Sequence, residues 1–301
     1  MGPGRTPARW VLGWALVGWV VAAAPAGAKV WTDALGRSVT VPDPPRRIVS
    51  LVPSVTEILF QLGLADRVVG VTTFCDYPPE AARKPKVGGY ADPSLEALVA
   101  LRPELVVAAA DSVKPALVSR LDALHIPVFV VYPKTLAETA ETIRLLGAVT
   151  GVPARGVAEA ERLLDAARQL ARPSGEHARP GVLLCVMVRP LVVAGPGTLG
   201  DDLIRLAGGR NVVPPGANRY PTWGPEAVLA ADPDIIVVTA HPGEEAPARI
   251  FERWPELRAV SEGRVHQLPA DWIHRAGPRL AQGVRALCQV IHPGRQGGEA
   301  R

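Results

Sequence analysis

Two tyrosine–glutamate pairs stand at matching positions in this chain. Tyr90 precedes Glu96 by six residues, and Tyr220 precedes Glu226 by the same six. Over the fifteen residues from each glutamate, six are identical, and Pro103 and Pro233 each follow their acid by seven positions. A loop tyrosine near a helix start either packs as a half-buried residue or offers a flat apolar face with one hydrogen-bonding end. Two at equivalent positions suit a cleft that grips a flat or apolar ligand. Tyr77, beside Asp76, and Trp223 extend such a wall. Asp92-Pro93 and Gly224-Pro225 read as helix starts, with Asp92 as cap and each proline in the first turn. Glu96 and Glu226 then lie where the helix macrodipole favours negative charge. Each acid serves its own helix or, being duplicated, meets the arginines of a two-fold partner.

A second constellation is Asp271-Trp272-Ile273-His274-Arg275, before Gly277-Pro278-Arg279. Asp271 and Arg275 either hydrogen-bond amide or carboxylate groups of a ligand or pair locally to hold a turn. No catalytic residue is expected: there is no GxSxG turn and no HExxH. Gly195-Pro-Gly-Thr-Leu-Gly200 lacks the Lys-Ser/Thr of a phosphate-binding loop and reads as a strand-to-helix turn. The six histidines are dispersed, so no metal site is expected, with His274 the one to test for metal contact.

The elements that must position these groups alternate. Asp33 to Arg37 reads as a hairpin turn, Arg47 to Val52 as a buried strand, and Ser54-Val-Thr-Glu57 as a capping box opening a helix to Leu62. Strands follow at 68–72 and 128–132, with helices ending at Leu124 and running from Leu136 to Thr150. Both repeats read as a helix ended by proline, then a buried Val/Ile/Leu strand. Val152 to Leu170 is an uninterrupted helical pattern. A second α/β series follows: strand 182–188, helix 201–206, the second repeat, strand 264–268 and a helix through Ile291. The expected fold is α/β, two lobes with largely parallel central sheets flanked by helices and bridged by one long helix. The lobes span 29–151 and 174–292, the bridge 152–173, and 293–301 form a disordered tail.

Residues 1–28 read as a cleaved secretory signal: Arg5 and Arg9, an apolar stretch from Trp10 to Ala24, then Ala26-Gly27-Ala28. That stretch is shorter than the roughly 20 residues of a membrane anchor, so a periplasmic protein starting near Lys29 is expected. Without Arg5 and Arg9, the 33 basic and 29 acidic residues become 31 and 29, and the charge is +2. Its scattered basic residues exclude a nucleic-acid-binding stripe. Cys75, Cys185 and Cys288 allow one disulfide and leave a free thiol.

The motifs Ser50-Leu-Val-Pro-Ser-Val-Thr-Glu57, Asp76-Tyr-Pro-Pro79, Val87-Gly-Gly-Tyr90 with Pro93-Ser-Leu-Glu96, and Asp271-Trp with Arg275 and Gly-Pro-Arg-Leu280 occur in that order. Together they resemble the periplasmic substrate-binding proteins of ABC importers for vitamin B12, within the wider class serving siderophores, haem and metals. The likeness runs from about Asp33 to Ile291. It implies a monomer that carries cobalamin or a related corrinoid as transported ligand, with no cofactor, to an inner-membrane ABC permease dimer. The same fold binding haem or a ferric siderophore, with Tyr90 as an iron ligand, is the alternative. By position it makes Tyr77, Tyr90, Tyr220, Asp271 and Arg275 ligand-binding, and Glu96 and Glu226 permease-docking. Two departures stand out: Val106 to Ala110 lacks an aromatic of the family's pocket, and the family's cysteine partner for Cys288 is here Ala207.

Overall fold

The computed structural model describes residues 27–171, 179–241, 243–244 and 246–293. The expected signal segment through residue 26, the 172–178 connection and the tail from 294 lie outside the described residues. Strands β1 (Ala28–Thr32) and β2 (Ser38–Pro42) form the antiparallel hairpin expected around Asp33. The buried Asp33 carboxylate accepts from the Leu35 and Arg37 amides and from the Arg37 guanidinium. That guanidinium also donates to the Val128 carbonyl, fastening the hairpin to the sheet beside it.

The first lobe continues with β3 (Ile48–Ser50), α1 (Pro53–Gln61), β4 (Val68–Val71), α2 (Pro79–Ala82), α3 (Leu95–Ala100), β5 (Leu105–Ala109), α4 (Pro115–Ala123), β6 (Val128–Val131) and α5 (Leu136–Val149). Its strands are parallel, in the order β4-β3-β5-β6. All five residues of β5 are buried, as a central parallel strand covered on both faces requires.

Helix α6 (Pro153–Leu170) matches the long uninterrupted pattern. Its 18 residues extend about 27 Å at about 1.5 Å per residue. Gly156, Ala160, Leu163 and Ala167 form its buried face. Gly147 and Gly156 let α5 and α6 cross closely: a Cβ on Gly147 would lie 2.6 Å from the Gly156 Cα. A side chain at either position would push the helices apart.

The second lobe holds β7 (Gly181–Val188), β8 (Leu191–Val193), α7 (Leu199–Leu206), β9 (Arg210–Asn211), α8 (Pro225–Ala231), β10 (Ile235–Ala240), α9 (Arg258–Ser261), β11 (Val265–Pro269), α10 (Ala270–His274) and α11 (Leu280–Ile291). The order β11-β10-β7 is parallel; β8 runs antiparallel along the later half of β7, and β9 runs parallel along its start. One apolar core runs through both lobes by way of α5, α6, α7 and α11, while each sheet's other face has its own cluster.

Two helix starts differ from the sequence reading. Pro53 opens α1 behind Val52, with no side-chain cap, so Ser54–Glu57 is not a capping box. Glu57 is instead drawn into ion pairs described below. In the first repeat, Ser94 rather than Asp92 caps α3, its hydroxyl accepting from the Ala97 amide. Pro93 is bridged to Gly88 and stays outside the helix. Cys75 and Cys185 are buried free thiols, and the Cys288 thiol donates to the Leu170 carbonyl.

Candidate functional site

The parallel strands of both sheets end at a cavity of about 770 Å³ between the lobes. Backbone groups and loops at strand C-termini are unspent by the sheet, which makes this edge the usual place for a ligand in open α/β sheets. The first lobe contributes Tyr90, Asp111 after β5, and Tyr132 to Lys134 after β6. The second contributes Arg219, Tyr220, His241 after β10, and His274 to Ala276.

Tyr90, Tyr220 and Arg275, three of the residues the sequence assigned to ligand, line this cavity. The Tyr90 hydroxyl donates to Asp111 Oδ1 at 3.1 Å. Burial, followed by the nearby Asp111 charge, pushes this phenol up to about 12. Its single O–H is directed at Asp111. Tyr220 is half exposed, and partial burial together with Tyr132 and Asp111 raises its phenol, opposed by Arg219. Arg219 Nη1 donates to the Tyr132 hydroxyl at 3.1 Å, joining the lobes at the cavity wall. Lys134 Nζ lies 4.8 Å from the centre of the Tyr132 ring.

Tyr77 and Asp271 lie beside the cavity rather than on its wall. The Arg279 guanidinium stacks 4.1 Å from the centre of the Tyr77 ring. Asp271 Oδ1 pairs with Arg275 Nε at 2.9 Å, and its Oδ2 lies 3.5 Å from Arg279 Nη2. Asp76 lines the cavity and pairs with Arg275 at 2.7 Å. Burial opposes ionisation of Asp76, but the Arg275 hydrogen bond and charge hold its carboxyl below the ordinary value. Arg275 thus has acidic partners from both lobes. Trp223 does not extend the wall; it packs against the core on the far face of the second sheet.

Glu96 and Glu226 are both exposed in the first turns of α3 and α8, away from the cavity. Ser94 Oγ donates to Glu96 Oε2 at 2.9 Å and, with the backbone, holds that carboxyl below its ordinary value. Three residues on, Val99 and Leu229 are the matched exposed aliphatics of these helices.

His274 Nε2 lies 2.9 Å from Thr239 Oγ1, and burial, then the charge of His241, pushes the imidazole down to about 4. Among the described residues no group of three or more His, Cys, Asp or Glu side chains could hold a metal ion.

Sequence reasoning missed Phe74, Asp111, Tyr132, Lys134 and Arg219, all on the wall. Asp111 and Tyr132 directly follow the buried runs of β5 and β6, and that position was the available signal. Phe74 and Tyr132 supply aromatic surface that β5 itself lacks.

Residues 48–272 match the family model described as periplasmic binding protein. The chain belongs to that family. This binding protein is 32% identical over 245 residues to the vitamin B12-binding protein of Salmonella typhimurium, covering 81% of this chain and 90% of that one. It is 30% identical over 249 residues to the vitamin B12-binding protein of Photorhabdus laumondii, covering 82% and 88%. Its fold is similar to the crystal structure of the vitamin B12-binding protein BtuF of Vibrio cholerae, with TM-score 0.74 and 28% identity over 85% of this chain and all of that one. The haem-binding protein RhuT from Roseiflexus sp. RS-1 superposes with TM-score 0.73 and 29% identity over 82% of this chain and 98% of that one.

Proposed function

We propose that this binding protein captures cobalamin or a related corrinoid in the periplasm and delivers it, as a monomer, to an inner-membrane ABC permease dimer. The observation that carries the reading is the inter-lobe cavity, walled by tyrosines and rimmed by ion pairs. It occurs in a chain about 30% identical to vitamin B12-binding proteins over four-fifths of its length. Tyr90 and Tyr220 supply flat surface from opposite lobes. Arg275, with Asp76 beside it, offers charged hydrogen-bonding groups to the amides that ring a corrinoid. Tyr77 and Asp271 support that arginine pair from behind the wall. Residues 1–28 serve export as a cleaved secretory signal.

Docking is assigned to the two repeats. Exposure of Glu96 and Glu226 at equivalent helix starts, each followed by an exposed aliphatic, supports contact with paired arginines of a two-fold permease.

The haem-binding structural relatives motivate a second reading in which Tyr90 ligates iron. The Tyr90 hydroxyl already donates to Asp111 Oδ1, a contact that iron ligation would have to replace. Titration of the processed protein with cyanocobalamin and with hemin separates the two. Saturable quenching of tryptophan fluorescence by cyanocobalamin, one per chain, is expected. A Soret shift with hemin that disappears in Tyr90→Phe, with no corrinoid binding, would replace the corrinoid reading by the haem one.

A further inference from the structure

Glu57 is the buried acid that the binding site does not yet explain. Its side chain is 2% exposed, on α1 of the first lobe, yet each of its ion-pair partners comes from the second. Arg279 holds it with two nitrogens, Nε to Oε2 at 2.8 Å and Nη2 to Oε1 at 2.6 Å. Arg275 Nη1 reaches the same Oε1 at 3.2 Å. The groups facing this knot are Asp271 from the second lobe and Asp76 from the first, so three carboxylates share two guanidiniums. Gly277 sits against the start of α1: a Cβ there would stand 3.4 Å from the Ser54 carbonyl and 3.7 Å from Glu57 Oε2. The segment carrying both arginines is thus seated directly on the first lobe.

A two-nitrogen arginine–carboxylate contact fixes direction as well as distance. Removing one partner of such a pair leaves the other charge buried and uncompensated. Arg275 also lines the cavity, so whatever holds Arg275 sets one of its polar contacts. The other side-chain bonds between lobes at the wall, Arg275 to Asp76 and Arg219 to Tyr132, are exposed and single.

We propose that Glu57 is a positioning residue. It clasps Arg275 and Arg279 across the lobe boundary, and so fixes the cleft width and the placement of Arg275 before ligand arrives. A cavity held in its binding geometry avoids the ordering cost that a loose pair of lobes would meet on binding. The effect on affinity rests on the corrinoid reading; the effect on lobe separation does not.

The test uses Glu57→Gln and the double variant Glu57→Leu with Arg279→Leu. Cyanocobalamin affinity and melting temperature are measured for each. The lobe–lobe distance in ligand-free protein is read by pulsed electron resonance between nitroxides at Ser119→Cys and Glu256→Cys, in a Cys288→Ser background. Glu57→Gln is expected to weaken cyanocobalamin binding about tenfold or more and to broaden the distance distribution. Replacing the buried pair by apolar groups should restore the melting temperature. It should not restore affinity or a narrow distribution, because the exposed Asp76 is then the one carboxylate of the first lobe that still holds Arg275. A double variant with wild-type affinity and wild-type lobe distances would overturn the proposal, leaving Glu57 only a packing role. If the unaltered protein binds no cyanocobalamin, the corrinoid reading fails, and the distance measurement alone still decides the clasp.

Discussion

The two repeats share a backbone plan and differ in what they attach to it. Arg102 and Asp232, each just before the shared proline, both adopt left-handed conformations, with φ of 45° and 32°. One residue past that proline, Glu104 accepts from the Arg46 amide and Asp234 from the Gly181 amide, each tying its strand to the start of a neighbour. Leu98 and Val228 are the matched buried residues of the two helices. At the strand ends the likeness stops. The first unit ends in Asp111, which locks Tyr90; the second ends in His241, near the Thr239–His274 contact, and leaves Tyr220 half exposed. The two units share the scaffold, and the residues just beyond each strand differ in what they contact.

This contrast is open to a direct ranking of the tyrosines. Tyr90 is held before binding and Tyr220 is not, so Tyr90→Ala should cost more corrinoid affinity, about 2 kcal/mol or roughly thirtyfold. Tyr220→Ala should cost about 1 kcal/mol. Calorimetric titration with cyanocobalamin checks the order, and equal losses would mean that the Asp111 lock contributes nothing.

The strand ends also differ in proton linkage. His274 is depressed to about 4 in the fold, whereas an unfolded histidine titrates near 6.5. The unfolded chain therefore binds more protons between those values. Stability from neutral His274 is complete above about pH 6.5 and is lost as pH falls toward about 4. Thermal melts across this window should show a decline that His274→Gln flattens. An unchanged slope in the variant would assign the decline to other groups. In the first unit Ala109 stands where the second has Thr239, so that position offers no hydroxyl to a histidine.

The smallest expected effect separates the two left-handed residues. Arg102→Gly should stabilise by about 0.5 kcal/mol, since glycine adopts positive φ without the side-chain clash. Asp232→Gly should give no gain, because Asp232 also accepts from the Arg258 amide and guanidinium. Urea denaturation midpoints of the two variants decide it.

Much of this architecture was legible in the sequence. The strand–helix alternation, the long helix at 153–170 and the twin units all follow from apolar periodicity and proline placement, which are local signals. Short elements such as 79–82, 191–193 and 270–274 were not, since three to five residues carry no period to read. Glu57 shows the limit most clearly. Its spacing from Ser54 fits a capping box, but its partners lie 218 and 222 residues away, and no local pattern reports them. The cavity was half legible: tyrosines repeated at fixed spacing stood out, whereas Asp111, Tyr132 and Arg219 occur once each and gain meaning only when strand ends from two lobes converge.

The central claim is that each repeat is divided between an inward tyrosine and an outward glutamate. Glu96→Ala combined with Glu226→Ala tests it most directly, by measuring corrinoid affinity in solution and corrinoid uptake in the native host on the same variant. The division predicts unchanged affinity with uptake abolished. Weakened affinity in the double variant, or undiminished uptake, would contradict it.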